Sequence, residues 1–386
     1  MSHRLRFNVS IPLSRPDLPP LDALVPMLED IWESGVLSNG GPYHQRFEQA
    51  LREQLQVEHV NLFANATLGL IAALKALGLQ GGEVVTTPYT FVATANALRW
   101  AGLTPVFADI DPHTLNLDPA AVRAAIGPRT VALLPVHTYG NPCNHGSMAD
   151  LAGQHGLKLV YDAAPCFGVR AGGRSVLAQG DASVVSFHAT KVFNTFEGAA
   201  VVCADARVSE RLARLRNHGL DPRTAVEEPG LNAKMSEFNA ALGLLQLERV
   251  AQAIECRREI DRRYRQALGG VSGVECLALP AGVELNHAYF PIFVGAGYPL
   301  GRDALYQRLQ DHGVDARRYF HPLVCELPAY WRAPVRQDEL PAARRRAAEV
   351  VCLPIHPALT QAQQAFVIDL IVRPHAAPAV RAGAPA

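Results

Sequence analysis

A lysine and an aspartate in this 386-residue chain stand where reactive groups are often placed. Lys191 lies in the stretch SFHATKVFNTFEG, just after an apolar run typical of a buried strand. Asp162 ends another such run in LVYDAA. An amine at a strand end, with the apolar sheet behind it, can be nucleophilic, and its common use is a Schiff base with a carbonyl group. Most lysines lie on the surface, so the other residues must decide between the two interpretations.

The residue types around this pair fit one cofactor. A carboxylate such as Asp162 can keep a pyridinium nitrogen protonated, which makes pyridoxal phosphate an electron sink. A phosphate needs hydroxyl and backbone N–H groups, which Ser186 and the turn Asn65-Ala66-Thr67 offer. Phe91 can stack on the ring of the cofactor. Taken singly, each residue is more often a cap, a turn or part of the core, and only their common order favours a site.

Short apolar runs alternate with helical stretches, and among the runs are TVALLPV, KLVYD and ASVVSF. This alternation predicts an α/β fold with a mostly parallel sheet that helices cover on both faces. Ligands bind such sheets outside the carboxyl ends of the strands. Asn65, Phe91, Asp162 and Lys191 each lie at or just past such an end. We therefore expect these four residues to converge on one site.

The sequence changes in character after a long helical stretch at about 240–266. We expect a large α/β domain over residues 1–245 and a smaller α+β domain over residues 246–372. The low-complexity tail at 373–386 is predicted to be disordered.

The composition argues against several classes of protein. Lys plus Arg number 36, as do Asp plus Glu, so no net charge draws the chain to nucleic acid or to an anionic membrane. No apolar stretch approaches the roughly 20 residues of a membrane span. The N-terminus lacks the features of a secretory signal, so we predict a cytoplasmic protein. The seven cysteines lack C-x-x-C pairs, which predicts reduced thiols and no metal site.

Six stretches, in order, resemble motifs of the DegT/DnrJ/EryC1/StrS sugar aminotransferases. They are GPYHQRFEQAL, NATLGLIAAL, PYTFVATANAL, YDAAPCFG, SFHATKVFNTFEG and GLNAKMSEFNAALGLLQL, and the resemblance runs from about residue 8 to 370. Members of this family are pyridoxal-phosphate enzymes of fold type I, the aspartate-aminotransferase fold. The resemblance therefore implies a large domain with a mostly parallel mixed sheet, a smaller C-terminal α+β domain and pyridoxal 5′-phosphate as cofactor.

The resemblance also implies a role for each matching residue. Lys191 would form the Schiff base and act as general base in the proton shift. Asp162 would pair with the pyridine nitrogen, and Phe91 would stack on the ring. The remaining cofactor-binding residues would be Asn65, Ala66, Thr67 and Ser186, beside the phosphate, and Asn232, which would reach the same phosphate from the neighbouring subunit. The chain is thus expected to form a homodimer with shared active sites.

Three positions depart from the family pattern. Ala66 stands where glycine is usual, and Ala199 replaces the second glycine of E-G-G. Pro165 stands where the family usually has glutamine or histidine near the phenolic oxygen of the cofactor. Proline offers no donor, and one lost hydrogen bond to a charged oxygen costs about 1.5–3 kcal/mol. This departure affects the tuning of the cofactor more than its binding.

The loop around Lys191 also resembles one branch of the family. Members with histidine in place of the lysine are dehydratases, so Lys191 favours transamination. The loop SFHATK with His188, the stretch GLNAKM, and RRYFHPL with Tyr319 and His321 resemble the branch that acts on dTDP-4-keto-6-deoxy-D-glucose. The expected reaction gives dTDP-4-amino-4,6-dideoxy-D-glucose, with L-glutamate as amino donor, in deoxyamino-sugar, O-antigen or natural-product biosynthesis. His188, Tyr319 and His321 are the expected substrate-binding residues, and the structural alternative for His188 is a packing histidine.

Two alternatives stay open at this point. The same chemistry could act at carbon 3, or on a sugar linked to UDP or GDP. Alternatively, Pro165 has ended turnover and the chain is a non-catalytic relative that binds a ligand or a partner. The presence of both Lys191 and Asp162 argues against the second alternative.

Overall fold

The computed structural model describes residues 11–221, 225–330, 333 and 340–375. Most of the predicted disordered tail, residues 376–386, lies outside the described residues. In the described part of the chain the helices are α1 (Leu21–Ser34), α2 (Pro42–Leu55), α3 (Ala66–Ala76), α4 (Ala93–Trp100), α5 (Pro119–Ala125), α6 (His145–His155), α7 (Ala206–Leu215), α8 (Glu237–Leu268), α9 (Arg302–Asp311), α10 (Pro341–Glu349) and α11 (Gln361–Val372).

The strands form one large sheet and two small ones. They are β1 (His59–Phe63), β2 (Glu83–Thr86), β3 (Thr104–Phe107), β4 (Thr130–Leu134), β5 (Lys158–Asp162), β6 (Arg170–Ala171), β7 (Arg174–Ser175), β8 (Ala182–Ser186), β9 (Ala199–Cys203), β10 (Val274–Cys276), β11 (Val283–Glu284), β12 (Phe290–Val294) and β13 (Val350–Leu353). The large sheet has the order β1-β9-β8-β5-β4-β2-β3.

The large sheet is mixed and mostly parallel. Strands β3, β2, β4, β5 and β8 run parallel, whereas β9 is antiparallel to both β8 and β1. Strand β1 therefore runs in the same direction as the five parallel strands, and its carboxyl end meets theirs at one edge. This architecture confirms the predicted α/β fold.

Helices cover both faces of the large sheet because its strands are apolar on both sides. Along β5, Val160 packs into the cluster beneath α3, α4 and α7, and the next residue, Tyr161, packs into the cluster on the opposite face. The side chains of a strand alternate between the two faces. Each strand is thereby fixed in register, and its last residue is held at the edge of the sheet.

A second core lies around the sheet β10-β12-β13, which packs with α9 and α11. The division into domains at residue 245 stays a prediction, and it falls within the single helix α8. The third sheet, β11-β6-β7, pairs Val283 and Glu284 with residues shortly after β5.

Helix α3 approaches the sheet closely at Gly69. A β-carbon added at Gly69 would lie 3.2 Å from Cγ1 of Val184 and 3.3 Å from Cγ2 of Val201. The helix begins at Ala66, directly after Asn65, whose side chain accepts a hydrogen bond from the N–H of Leu68. The small residue thus places the amino end of α3 against β8 and β9.

We expect Gly69→Val to destabilise the fold by about 1–3 kcal/mol, because the larger side chain forces α3 away from the sheet. Chemical denaturation measures this change. Gly153→Val in α6 is the matched control, since a β-carbon there meets nothing within 4 Å, and its effect should stay within about 0.5 kcal/mol. Equal free energies of unfolding for the two variants would show that the close approach of α3 to the sheet does not contribute to stability.

Candidate active site

A cavity of about 690 Å³ lies at the carboxyl edge of the large sheet. The predicted site residues that line it are Asn65, Ala66, Thr67, Phe91, Asp162, Ser186, His188, Lys191 and Tyr319. Asp162 and Ser186 end β5 and β8, and most of the others lie in the segments that directly follow β1 and β8. Phe91 follows β2, and Tyr319 follows α9. The expected convergence at this edge is therefore what the structure shows.

Asp162 provides a buried carboxylate in this cavity. Its side chain is 5% exposed. The carboxylate oxygen Oδ2 accepts a hydrogen bond from Oγ1 of Thr94 at 2.7 Å, and Oδ1 accepts one from the N–H of Ala164 at 3.2 Å. Burial raises the pKa of Asp162, while these two hydrogen bonds and the charge of Lys191 oppose that rise. A carboxylate in such surroundings favours a cationic partner.

The amine of Lys191 lies in the same cavity. Its Nζ donates a hydrogen bond to the hydroxyl oxygen of Tyr289 at 3.1 Å and lies 5.6 Å from the centre of the Tyr289 ring. The N–H of Lys191 donates to the carbonyl of His188 at 2.9 Å, which closes a tight turn in the loop. The loop after β8 thus fixes the backbone of Lys191, and Tyr289 contacts the amine at the tip of its side chain.

Aromatic residues of SFHATKVFNTFEG anchor this loop in the core. Phe187 and Phe193 are both buried, with ring centres 5.0 Å apart. Phe193 also stacks on Phe167 at 4.1 Å. Along the chain, Lys191 therefore lies between two buried aromatic residues of its own loop, which restricts where its backbone can lie.

The cavity can bind an anion at the amino end of α3. The first backbone N–H groups of a helix have no partner within the helix. Ala66 and Thr67 provide such groups, and the methyl of Ala66 leaves its N–H in place. Ser186 lines the same cavity, and its hydroxyl oxygen accepts from the N–H of His188 at 3.3 Å.

His188 lies at the mouth of the cavity and is not a packing histidine of the core. The residue is exposed. Its Nδ1 lies 2.9 Å from the hydroxyl of Thr190, and its Nε2 lies 3.7 Å from the carboxylate of Glu197, which also lines the cavity. Phe91 is 63% exposed and lies at the same cavity. Both side chains are thus accessible to a ligand.

Two predicted site residues are not among those that line the cavity. Asn232 is exposed and pairs through its backbone with Asn217. Its expected role requires a neighbouring subunit and stays a prediction. His321 is also exposed, and its N–H donates to the carbonyl of Arg318 at 2.6 Å. Its expected role in substrate binding stays a prediction as well.

Pro165 lines the cavity without offering a donor, but a buried histidine lies in the same lining. Nδ1 of His137 accepts from the N–H of Cys143 at 3.1 Å, so the neutral ring carries its proton on Nε2. This Nε2 has no hydrogen-bond partner among the described residues. Burial lowers the pKa of His137 to about 3, which keeps the ring neutral. His137 is therefore an unused donor in the lining.

Sequence reasoning missed several lining residues. Tyr139, Tyr289 and Phe320 form an aromatic wall, in which the rings of Tyr139 and Phe320 stack at 5.7 Å. Thr94, which holds Asp162, was also missed, although it belongs to the stretch PYTFVATANAL that carries part of the resemblance. No local pattern marks the aromatic residues as part of a site.

A lysine amine and a buried carboxylate in one cavity at the carboxyl edge of a mixed α/β sheet define an enzyme site for chemistry between amines and carbonyl groups. The chain belongs to the DegT/DnrJ/EryC1/StrS aminotransferase family, whose profile matches residues 22–372. The family predicted from the six motifs is thereby confirmed, and the protein is a sugar aminotransferase of this family.

Named relatives cover almost the whole chain. The dTDP-4-amino-4,6-dideoxy-D-glucose transaminase of Shigella dysenteriae is 46% identical over 93% of this chain and 97% of its own length. The Escherichia coli protein of the same name is 42% identical, over 91% and 95%. The GDP-perosamine synthase of Caulobacter vibrioides is 32% identical, over 94% and 96%.

Solved structures share the fold. The structure of DesI in the presence of its TDP-sugar product has a TM-score of 0.89 and 39% identity, covering 94% of this chain and 93% of DesI. The structure of S. venezuelae DesV in complex with a ketimine intermediate has a TM-score of 0.85 and 30% identity, covering 93% and 98%. Within the described residues, no helix is long and apolar enough to cross a membrane, and no cluster of three or more His, Cys, Asp or Glu residues could hold a metal ion.

Asp162→Asn tests the cost of the buried charge. The pKa of Asp162 is higher in the folded chain than in the unfolded chain, so ionisation of its carboxyl group favours unfolding. This destabilisation is absent at a pH well below the pKa of an aspartate in the unfolded chain, about 3.9. Asparagine does not ionise. We therefore expect the cofactor-free variant to have a higher Tm than the parent protein at pH 8, with a difference that shrinks as the pH falls toward 4.

Asp118→Asn is the control for this experiment. Asp118 caps α5 by accepting from the N–H of Ala120, and asparagine is an equally good N-cap. Its effect on Tm at pH 8 should be small. A lower Tm for Asp162→Asn at pH 8 would contradict the inference of a costly buried charge.

Proposed function

We propose that this protein transfers the amino group of L-glutamate to carbon 4 of dTDP-4-keto-6-deoxy-D-glucose and uses pyridoxal 5′-phosphate as cofactor. The observation that carries the proposal is the shared cavity of Lys191, the buried carboxylate of Asp162 and the amino end of α3. The product would be dTDP-4-amino-4,6-dideoxy-D-glucose, the sugar for which the relatives from Shigella dysenteriae and Escherichia coli are named.

The residues of the cavity fit this cofactor. Asp162 is a buried acid that favours a cation, and a protonated ring nitrogen supplies one. Ala66 and Thr67 offer backbone N–H groups, and Ser186 offers a hydroxyl, for a phosphate at the amino end of α3. When bound, pyridoxal phosphate supplies an aldehyde that condenses with amines and a ring that takes up electrons from the adjacent carbon.

Each of these side chains would have a separate role in the reaction. Lys191 holds the cofactor through its amine, and when this amine is free it moves the proton at the carbon that loses or gains nitrogen. Asp162 keeps the ring nitrogen protonated, and Thr94 keeps Asp162 oriented through its hydrogen bond. Phe91 covers one face of the ring. His188 and Tyr319 line the same cavity and would contact the sugar.

We further propose a homodimer. Trp32 and Trp100 are 77% and 80% exposed, and Phe91 is exposed beside the cavity. Phe196 and Phe238 also stack on each other while both remain partly open to solvent. Exposed apolar side chains that form a contiguous patch often mark a surface that another protein covers. A second copy would cover these rings and bring Asn232 to the phosphate. A cytoplasmic location is part of the same proposal.

The product of the reaction tests the position of amination. The protein is incubated with pyridoxal phosphate, ¹⁵N-glutamate and dTDP-4-keto-6-deoxy-D-glucose, and NMR then locates the ¹⁵N atom in the sugar. We expect nitrogen at carbon 4. Nitrogen at carbon 3, or turnover only with a GDP-linked sugar, would favour the alternative substrates, and the GDP-perosamine synthase relative makes the second comparison worthwhile. A protein that binds no cofactor and converts neither substrate would support the non-catalytic alternative.

Lys191→Ala should lower the rate of amino transfer from glutamate at least about a thousandfold, because it removes both the covalent anchor and the base. Loss of the visible absorbance of the bound cofactor on adding glutamate measures this rate. Lys158→Ala is the matched control, since Lys158 is an exposed lysine paired with Asp181 at the other end of β5. Retained turnover in Lys191→Ala would refute the assignment of the lysine.

A further inference from the structure

Tyr289 contacts the amine of Lys191 from a distant part of the chain. The two residues are 98 positions apart, and the hydroxyl of Tyr289 lies 3.1 Å from Nζ. Tyr289 directly precedes strand β12 (Phe290–Val294), which belongs to the sheet β10-β12-β13. The lysine loop follows a strand of the large sheet. The contact therefore joins the two parts of the molecule at the reactive amine.

The ring of Tyr289 is held by packing, which leaves its hydroxyl in a defined place. It packs at 54° against the ring of Tyr139, with centres 5.7 Å apart. It also meets the ring of Tyr319 edge-on, with centres 6.0 Å apart. Tilted and edge-on pairs of this kind are favourable. The simple alternative is that Tyr289 only fills the wall of the cavity, and in that case its hydroxyl would be dispensable.

Asn286 ties the segment of Tyr289 to the loop after Asp162. This buried side chain donates from Nδ2 to the carbonyl oxygens of Pro165 at 2.7 Å and Phe167 at 2.8 Å. Its Oδ1 accepts from the N–H of Ala288 at 3.1 Å. Both the amide nitrogen and the amide oxygen of Asn286 therefore have hydrogen-bond partners within the protein. The backbone of Pro165 thus takes part in the site although its side chain offers no donor.

Arg257 of helix α8 holds the same segment from its other side. Its Nη1 donates to the carbonyl of Ile355 at 2.8 Å and to that of Ala288 at 3.4 Å. Arg257 is almost fully buried. Two buried polar side chains on different elements therefore fix the backbone next to Tyr289, and a buried hydrogen bond of this kind is costly to lose.

We propose that Tyr289 is a positioning residue that holds the free amine of Lys191 in the cavity, and that Asn286 sets its place by tying its segment to the loop after Asp162. The proposal rests on the proposed function, since it concerns the amine of the same transaminase site. A lysine side chain has four rotatable carbon bonds, so a hydrogen bond at its tip narrows the positions of the amine. A narrower range of positions speeds reaction with a bound carbonyl group.

Tyr289→Phe tests the hydroxyl because phenylalanine keeps the ring and its packing. We expect the visible absorbance band to form about tenfold or more slowly when pyridoxal phosphate is added to the cofactor-free variant, because the amine loses the contact that narrows its range of positions. The single-turnover rate with glutamate should fall by a similar factor, while the apparent Kd for glutamate stays within about twofold. Tm should be nearly unchanged.

Tyr306→Phe is the matched control. Tyr306 lies in α9 with the guanidinium of Arg318 over its ring, and it is not one of the residues that line the cavity. This variant should reproduce both rates of the parent protein. Parental rates in Tyr289→Phe would overturn the proposal. Equal losses in Tm, rate and glutamate affinity would also overturn it, because they indicate a structural role.

A double-mutant cycle tests the part of Asn286. Asn286→Ser removes the donor to Pro165 and Phe167, and Tyr289→Phe is then added to it. If Asn286 acts through Tyr289, the effects of the two changes on the rate of band formation should be less than additive. Additive effects would remove Asn286 from the proposal.

These measurements do not use the sugar, so they separate this proposal from the proposed function. A failed sugar assay with the expected changes in band formation would contradict only the proposed substrate. A protein that never binds pyridoxal phosphate would contradict both.

Discussion

The site depends on a charge that the fold buries at the end of its middle strand. Asp162 ends β5, the fourth of seven strands, and burial raises the pKa of its carboxyl group. Thr94 at the start of α4 and the N–H of Ala164 offset part of this cost through hydrogen bonds. A carboxylate held this way favours a cation in the cavity. Thr94 connects α4 to this carboxylate, and the lysine loop lines the same cavity.

The parts of the cavity formed by α3 and by the surroundings of Lys191 are built from different kinds of structure. Backbone groups dominate at the amino end of α3, where the close approach at Gly69 sets the position of the helix. Side chains dominate at the lysine, where Tyr289 and the aromatic wall come from segments outside the large sheet. The backbone carbonyl of Pro165 accepts a hydrogen bond from Asn286, which lies in the segment that carries Tyr289. Although Pro165 departs from the family pattern, its backbone carbonyl therefore still forms a hydrogen bond within the site.

Regular elements were predicted well where periodicity is strong. The stretch at 240–266 is part of helix α8, which spans Glu237–Leu268. Asp162 and Lys191 were found because strand ends in a parallel sheet share one edge. Thr94 and Tyr289 were missed as partners, because they lie 68 and 98 positions from the residues they contact. Such contacts depend on how helices and strands pack, which no local pattern records.

The amino-acid sequence by itself determined the α/β class, the edge of the sheet at which the candidate site lies, and the lysine and carboxylate that we propose for the chemistry. The alternation of apolar runs and the order of the motifs are properties of the sequence, so they can be recognised without a structure. Only the tertiary structure decided what holds those two groups: the hydroxyls of Thr94 and Tyr289 and the amide of Asn286. The reason is that hydrogen bonds between distant side chains form only after packing has brought their elements together.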